Sequence, residues 1–249
     1  MKETVKKILR PAKRILQRLI IRILPFFHIE RIDVSMWRAC RNVISRGLNI
    51  KTIIDVGASN GSWSNKLMEI IPEAKYMLIE AQECHEEELK AFCGSRRNVQ
   101  YILSAAGEKD GTCYFNDSDP FGGLASTESG FSGCSKEVPM RSVDSVINEC
   151  NLHGPFLLKL DVHGFEVPIL DGAIECLKSA ELVVIEAYIF RLNEKALLFH
   201  ELCSYMYQHG FQCIDMADPL WRAKDNALWQ WDLFFIKKDS PIFRDNSWT

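Results

Sequence analysis

The stretch 52–64, which reads T-I-I-D-V-G-A-S-N-G-S-W-S, constrains the fold of this chain more than any other. A β-branched run at 53–56 is typical of a strand buried on both faces. Gly57 and Gly61 follow it, and a backbone without Cβ atoms can approach a ligand closely. Ser62 then suits the N-cap of a helix. Strand, glycine turn and helix, in this order, present backbone N–H groups to a nucleotide-like ligand in α/β proteins.

The rest of the chain alternates strand and helix patterns, which favours a mostly parallel sheet with helices on both faces. We predict helices at 35–46, 63–70, 86–92, 142–150, 166–177 and 194–208, and strands at 76–80, 99–103, 112–116, 156–160, 182–185, 211–214 and 231–236. No helix separates the last two strands, which indicates an antiparallel partner at one sheet edge. Between the elements, 104–107 reads as a small-residue turn, 117–137 as a substrate-covering loop and 217–229 as a loop with two tryptophans.

Composition bounds the class of protein. The 249 residues are 47% hydrophobic and 25% charged, which suits one globular domain with an extension. The nine cysteines are scattered without a C-x-x-C pair, whereas zinc sites and disulfide scaffolds favour tighter spacing. We therefore expect reduced thiols in a cytoplasmic protein.

The N-terminal segment differs from the body in charge. Residues 1–35 hold nine Lys/Arg and three Asp/Glu, a net +6, so the remaining 214 residues carry −9 of the total −3. On a helical wheel, residues 1–27 place basic side chains opposite aliphatic ones, a pattern that serves peripheral contact with an anionic membrane as well as docking on the body or on a second subunit of a homo-oligomer. The segment is too interrupted to span a bilayer and lacks the features of a signal peptide. An acidic body argues against a nucleic-acid partner.

A carboxylate ends the second predicted strand. Glu80 follows 25 residues after Asp55. A carboxylate at this position commonly binds ribose, because two adjacent hydroxyls can donate to it. The spacing of the glycine turn is G-x-x-x-G rather than G-x-G-x-x-G, which counts against an NAD(P)-dependent oxidoreductase but leaves it as the alternative.

Four segments together resemble the FkbM family of S-adenosylmethionine-dependent methyltransferases. They are D-V-G-A-S-N-G at 55–61, Glu80, K-L-D-V-H-G-F-E at 159–166 and W-D-L-F-F at 231–235. The resemblance covers roughly residues 40–237. Family members usually carry Glu where this chain has His163, so the chain looks like a variant subgroup.

The resemblance implies a class I, Rossmann-like methyltransferase fold, with a seven-stranded sheet in the order 3-2-1-4-5-7-6 and strand 7 antiparallel. Strands one and four are then neighbours where the winding reverses, which is where ligands bind. The domain would occupy 35–238, between a basic arm at 1–34 and a tail at 239–249. The cofactor would be S-adenosylmethionine. Its amino group would lie near Asp55 or Asp161, its ribose would bind Glu80, and its adenine would lie between Ala105 and Ala106. Its carboxylate would lie near the backbone of the glycine turn, which comprises Gly57, Ala58, Ser59, Asn60 and Gly61.

We expect methyl transfer to a hydroxyl of a sugar, glycan or related metabolite. The hydroxyl must lose a proton, and His163 is the candidate base because an unperturbed imidazole titrates near 6.5. Asp161 and Glu166 are the carboxylate alternatives, and Glu186 ends strand five where it could face the acceptor. No ligand spacing in the sequence demands a metal, so none is predicted. A cofactor-binding scaffold without catalysis is the alternative from another class.

Overall fold

The computed structural model describes residues 32–128, 135–245 and 247–248. The elements below belong to one compact unit, Val34–Thr249. The amphipathic helix predicted at 1–27 lies outside the described residues, as does most of the predicted arm. In the part of the chain that is described, no helix has the length and apolar character needed to cross a bilayer.

The unit contains helices and strands that alternate along most of the chain. The helices are α1 (Met36–Ile44), α2 (Ser62–Leu67), α3 (Glu86–Gly94), α4 (Val143–Glu149), α5 (Glu166–Asp171), α6 (Ile174–Ser179) and α7 (Phe199–Gln208), with short 3₁₀ turns at Glu83–His85 and Pro241–Phe243. The strands are β1 (Thr52–Val56), β2 (Lys75–Glu80), β3 (Val99–Leu103), β4 (Ala105–Ala106), β5 (Gly111–Asn116), β6 (Leu124–Ser126), β7 (Lys136–Arg141), β8 (Phe156–Leu160), β9 (Ala180–Tyr188), β10 (Phe211–Trp221) and β11 (Leu228–Lys237).

Seven strands form the main sheet, in the order β3-β2-β1-β8-β9-β11-β10. The pairs β1–β2, β2–β3, β1–β8 and β8–β9 are parallel. The strand β11 is antiparallel to both β9 and β10. Numbered along the chain, the seven strands have the order 3-2-1-4-5-7-6. The chain winds outward in opposite directions from β1 and β8, so a crevice lies between the ends of these two strands.

Helices cover both faces of this sheet. Every residue of β1 and of β8 is buried. Alternate residues of the strands pack against α4 to α7 on one face, and the intervening residues pack against α1 to α3 on the other. Burying each large aliphatic side chain contributes roughly 1.5–3 kcal/mol, so this double-sided core fixes β1 and β8 firmly beneath the crevice.

A second sheet, absent from the sequence prediction, has the order β4-β7-β5-β6. It replaces the turn predicted at 104–107 and part of the loop predicted at 117–137, within which residues 129–134 are not described. In β5 and β7, Cys113, Phe115, Val138 and Met140 alternate inward while polar neighbours face out. The prediction missed this sheet because its strands are short and polar on one side, and Pro139 interrupts the strand signal.

Three further boundaries differ from the prediction. The single helix predicted at 166–177 is two helices, α5 and α6, which separate at Gly172; a Cβ atom there would lie 2.1 Å from the carbonyl oxygen of Gly107. The helix predicted at 194–208 begins only at Phe199. The tryptophan loop predicted at 217–229 is mostly strand, because β10 and β11 extend into a long antiparallel hairpin.

Candidate active site

A cavity of about 450 Å³ opens where β1, β2, β8 and β9 end. This volume lies within the roughly 300–1,000 Å³ typical of small-ligand sites. Because β1 and β8 end there, the cavity sits at the switch point of the sheet, where α/β proteins bind ligands.

The turn after β1 brings the backbone close to the β8 loop. Gly57 has φ +73°, and a Cβ atom on it would lie 2.0 Å from the carbonyl oxygen of Asp161. Only glycine fits this position. The N–H groups of Gly57 and Ala58 donate to the carbonyl of Ile79, at 2.9 and 3.3 Å, and that of Gly61 donates to Ala58 at 2.9 Å. Most N–H groups of this turn thus stabilise the turn itself rather than facing a ligand.

The carboxylate of Glu80 lines the cavity in a defined orientation. One oxygen accepts from the N–H of Ser59 and the other from the N–H of Gln82, both at 2.7 Å. Burial raises the pKa of Glu80, and these two backbone donors act against that shift. Each oxygen keeps a second acceptor position. The arrangement therefore suits two neighbouring hydroxyls such as those of a ribose.

A small apolar wall stands beside Glu80. Ala105 and Ala106 form β4, are buried and line the cavity. Ser104 also lines it, and within the described residues its buried hydroxyl has no hydrogen-bond partner. Buried polar atoms nearly always have a partner. An apolar wall with one unpaired hydroxyl fits the face and polar edge of a purine.

A buried lysine joins β1 to the β8 loop. The ammonium of Lys159 lies 3.2 Å from a carboxylate oxygen of Asp55 and 3.2 Å from one of Asp161. Burial opposes the charge of Lys159, but the carboxylates of Asp161 and Asp55 outweigh it and raise its pKa. Asp55 is fully buried and also accepts from the hydroxyl of Ser64 at 2.7 Å. Asp161 lines the cavity; burial opposes its charge, but Lys159 and then His163 lower its pKa.

His163 is the centre of a polar network. Its Nδ1 lies 3.0 Å from a carboxylate oxygen of Glu186 and 2.7 Å from the hydroxyl of Tyr188. Its Nε2 lies 3.1 Å from the carbonyl oxygen of Phe121. The Tyr188 hydroxyl and the side-chain amide of Gln230 each donate to Glu186. The side chains of β9 and β11 thus hold both partners of the His163–Glu186 pair.

This network changes the proton affinity of His163. Burial lowers its pKa, but the hydrogen bond and charge of Glu186, then the charge of Asp161 and the Phe121 carbonyl, raise it to about 9. The pKa of His163 in this site therefore lies above the value of about 6.5 that an unperturbed imidazole has. At neutral pH the imidazole carries a proton and both ring nitrogens can donate.

The backbone of residues 119–121 lies along the cavity as a strap. The side-chain amide of Gln82 donates to the carbonyls of Asp119 and Pro120, at 3.2 and 3.0 Å. His85 Nε2 lies 2.8 Å from the Pro120 carbonyl. The Phe121 carbonyl meets His163, so the strap connects Gln82 and His85 with His163.

The structure sorts the site residues that the sequence predicts. Those that line the cavity are Gly57, Ser59, Glu80, Ala105, Ala106, Asp161 and His163. Those that lie outside its lining are Asp55, Ala58, Asn60, Gly61 and Glu166. Glu166 instead accepts from the N–H of Gly164 at 2.7 Å, so its carboxylate stabilises the turn of the β8 loop, and burial raises its pKa.

Several lining residues were missed by the sequence prediction. Gln82, Ser104, Phe121 and Gln230 all border the cavity. Gln82 stands two positions after Glu80, and its place at a strand end was the one available signal. Ser104 lies between β3 and β4, in the segment predicted as a small-residue turn. Phe121 and Gln230 reach the site through the strap and the β10–β11 hairpin, which carry no motif.

The fold and the cavity define a class I S-adenosylmethionine-dependent methyltransferase. Residues 55–213 match the family model of the methyltransferase FkbM domain, which covers more than half of the chain. The chain belongs to this family, and its cofactor is S-adenosylmethionine. Family membership removes the oxidoreductase alternative that the glycine turn left open.

Several solved structures are similar to the chain at low sequence identity. The fibrillarin pre-rRNA processing protein of Methanococcus jannaschii is 14% identical, with a TM-score of 0.49, over 83% of this chain and 76% of that one. The 1,6-didemethyltoxoflavin-N1-methyltransferase of Burkholderia thailandensis is 10% identical, with a TM-score of 0.46, over 92% and 90%. The precorrin-6y C5,15-methyltransferase of Geobacter metallireducens is 12% identical, with a TM-score of 0.42, over 83% and 92%. No curated protein matches the chain by sequence.

Proposed function

We propose that this protein transfers a methyl group from S-adenosylmethionine to a hydroxyl of a sugar, a glycan or a related metabolite. One observation carries the proposal: Glu80, Ala105 and Ala106 line one half of a single cavity, and the hydrogen-bonded pair of His163 and Glu186 lines the other half. A hydroxyl acceptor needs a group such as this pair to accept its proton, because the proton must leave as the new bond forms.

The first half suits the cofactor. Glu80 would accept from the ribose hydroxyls, Ala105 and Ala106 would flank the adenine, and the hydroxyl of Ser104 would meet a ring nitrogen. Asp161 is the carboxylate available to the amino group, since Asp55 is enclosed. When bound, S-adenosylmethionine supplies an activated methyl group, whose carbon–sulfur bond breaks with its electron pair left on sulfur as the acceptor oxygen bonds to the carbon.

The second half handles the proton. The His163–Glu186 pair accepts the proton of the acceptor hydroxyl, and it can do so only when the imidazole is neutral. Because the pKa of His163 is about 9, this form becomes more abundant as the pH rises through 7 and 8. The charge of Lys159 holds Asp161 in place beside the pair, so that the reacting groups keep their positions.

The mouth of the cavity favours an acceptor with both polar and apolar surface. Gln230 offers an amide, while Phe121 and Leu220 line the cavity and are more than half exposed. A sugar ring has hydroxyls at its edge and C–H groups on its faces, which match this mixture. With a basic arm at 1–34, the sequence suits an enzyme that acts on glycans assembled at a membrane surface, with no nucleic-acid partner.

Binding and turnover test the proposal in sequence. Calorimetry of the full chain with S-adenosylhomocysteine should show binding, weakened at least tenfold by Glu80→Gln and unchanged by the surface control Glu69→Gln. Incubation with S-adenosylmethionine and a panel of sugars, nucleotide sugars and lipid-linked saccharides should release S-adenosylhomocysteine and yield a methyl ether, seen by mass spectrometry.

The same experiment identifies the alternatives. Cofactor binding with no methylated product across the panel favours a cofactor-binding scaffold. Methylation at nitrogen or carbon, or of RNA, would refute O-methylation of a sugar while preserving the methyltransferase assignment.

A further inference from the structure

Three side chains around the second half of the cavity bring unlike donor atoms together. Asp161 and Glu186 each offer a carboxylate oxygen and His163 offers a ring nitrogen, and these three atoms all lie within 4.8 Å of one another. They come from the β8 loop and from β9, and all three residues line the cavity. The convergence is tertiary, since 25 positions separate Asp161 from Glu186.

We propose that Asp161, His163 and Glu186 bind one divalent first-row transition-metal ion, such as Mn²⁺ or Zn²⁺. One imidazole nitrogen with two carboxylate oxygens suits such ions, whereas Ca²⁺ and Mg²⁺ favour oxygen alone. Three protein ligands leave further coordination positions, and the cavity borders this group. That is the form of a catalytic rather than a structural metal site.

Each ligand is held by a partner outside the group. The Nε2 of His163 lies 3.1 Å from the Phe121 carbonyl, so a proton on Nε2 leaves the lone pair of Nδ1, which lies 3.0 Å from a carboxylate oxygen of Glu186, available to an ion. Gln230 donates to one oxygen of Glu186. Lys159 holds one oxygen of Asp161 at 3.2 Å and leaves the other available. Such outer contacts orient the ligands of metal sites.

Charge favours the same conclusion. The ammonium of Lys159 is a permanent cation that pairs with the carboxylates of Asp55 and Asp161, and the carboxylate of Glu186 pairs with His163, so three carboxylates share one permanent positive charge. A proton on His163 offsets part of this excess when no ion is bound. A divalent ion would replace that proton on Nδ1 and offset more of the negative charge.

The role of the ion rests on the proposed function. An acceptor hydroxyl that enters an open coordination position has a lower pKa, as metal-bound water does. Its proton would pass to a water molecule at the cavity mouth. The resulting oxygen anion would form the bond to the methyl carbon while the carbon–sulfur electron pair remains on sulfur. In this form of the enzyme the ion replaces His163 as the activating group.

Metal binding can be measured without methyl donor or acceptor. The full chain is stripped with a chelator, dialysed and titrated with Mn²⁺, followed by electron paramagnetic resonance, and with Zn²⁺, followed by equilibrium dialysis. We expect one ion per chain. Glu186→Gln and His163→Ala should each weaken binding at least tenfold, while the surface controls Glu69→Gln and His200→Ala should not.

Binding of S-adenosylhomocysteine by each variant shows that its fold is intact. Failure of the native chain to bind one equivalent of either ion would overturn the proposal, as would equal binding by Glu186→Gln and Glu69→Gln. Neither result would affect the proposed methyl transfer, because the titration contains no donor and no acceptor.

Discussion

Because the folded protein binds a proton on His163 more tightly than the unfolded chain does, we expect the free energy of unfolding to depend on pH. The folded pKa of His163 is about 9, above the roughly 6.5 of an unfolded chain. Stabilisation from this group is therefore fully present below pH 6.5 and is lost as the pH rises through 9. The difference of about 2.5 pKa units corresponds to about 3 kcal/mol, an upper limit for a side chain that is 22% exposed.

The perturbation is Glu186→Gln, which keeps the shape of the side chain and removes the charge that raises the pKa. Without the carboxylate, burial lowers the pKa of His163, and we expect it to fall by at least 2 units from about 9. The unfolding free energy should then fall less between pH 6.5 and 9, because only the other titrating groups still contribute to that fall.

Two measurements on metal-free protein follow these changes. Nuclear magnetic resonance of the histidine rings gives the pKa of His163 directly, with His163→Gln identifying its signal. Denaturant unfolding at each pH gives the free energy, with Glu69→Gln as the control. A native pKa near 6.5, or a pKa unchanged by Glu186→Gln, would refute the pairing of His163 with Glu186.

Three other substitutions test the rest of the site. Gly57→Ala should destabilise the β1 turn and abolish binding of S-adenosylhomocysteine in calorimetry, because its Cβ atom would lie 2.0 Å from the Asp161 carbonyl; native affinity would contradict that close approach. Lys159→Met should cost roughly 3–5 kcal/mol in denaturant unfolding, because it leaves the buried charge of Asp55 unpaired, and a cost below 1 kcal/mol would show that solvent reaches it. Asp161→Asn should weaken binding of S-adenosylhomocysteine about tenfold if Asp161 meets the amino group, whereas unchanged calorimetric affinity would contradict that contact.

Local patterns predicted most of the main sheet. Largely apolar runs at β1, β2 and β8, interrupted by Asp55 in β1 and by Lys159 in β8, predicted buried parallel strands, because a strand covered on both faces needs no polar alternation. Strand ends were less accurate: β9 and the hairpin of β10 and β11 extend beyond their predicted limits. Their outer residues are held by cross-strand pairing, which leaves little trace in the local sequence.

The sequence by itself determined the family, the cofactor and the switch point, since these depend on short segments whose chemistry is local. Tertiary structure decided the rest. Asp55, predicted to face the ligand, is enclosed by Lys159, and the pKa of His163 depends on Glu186, 23 positions away. Burial and charge at long range set proton affinity and ligand geometry, and they exist only once β8 and β9 lie side by side.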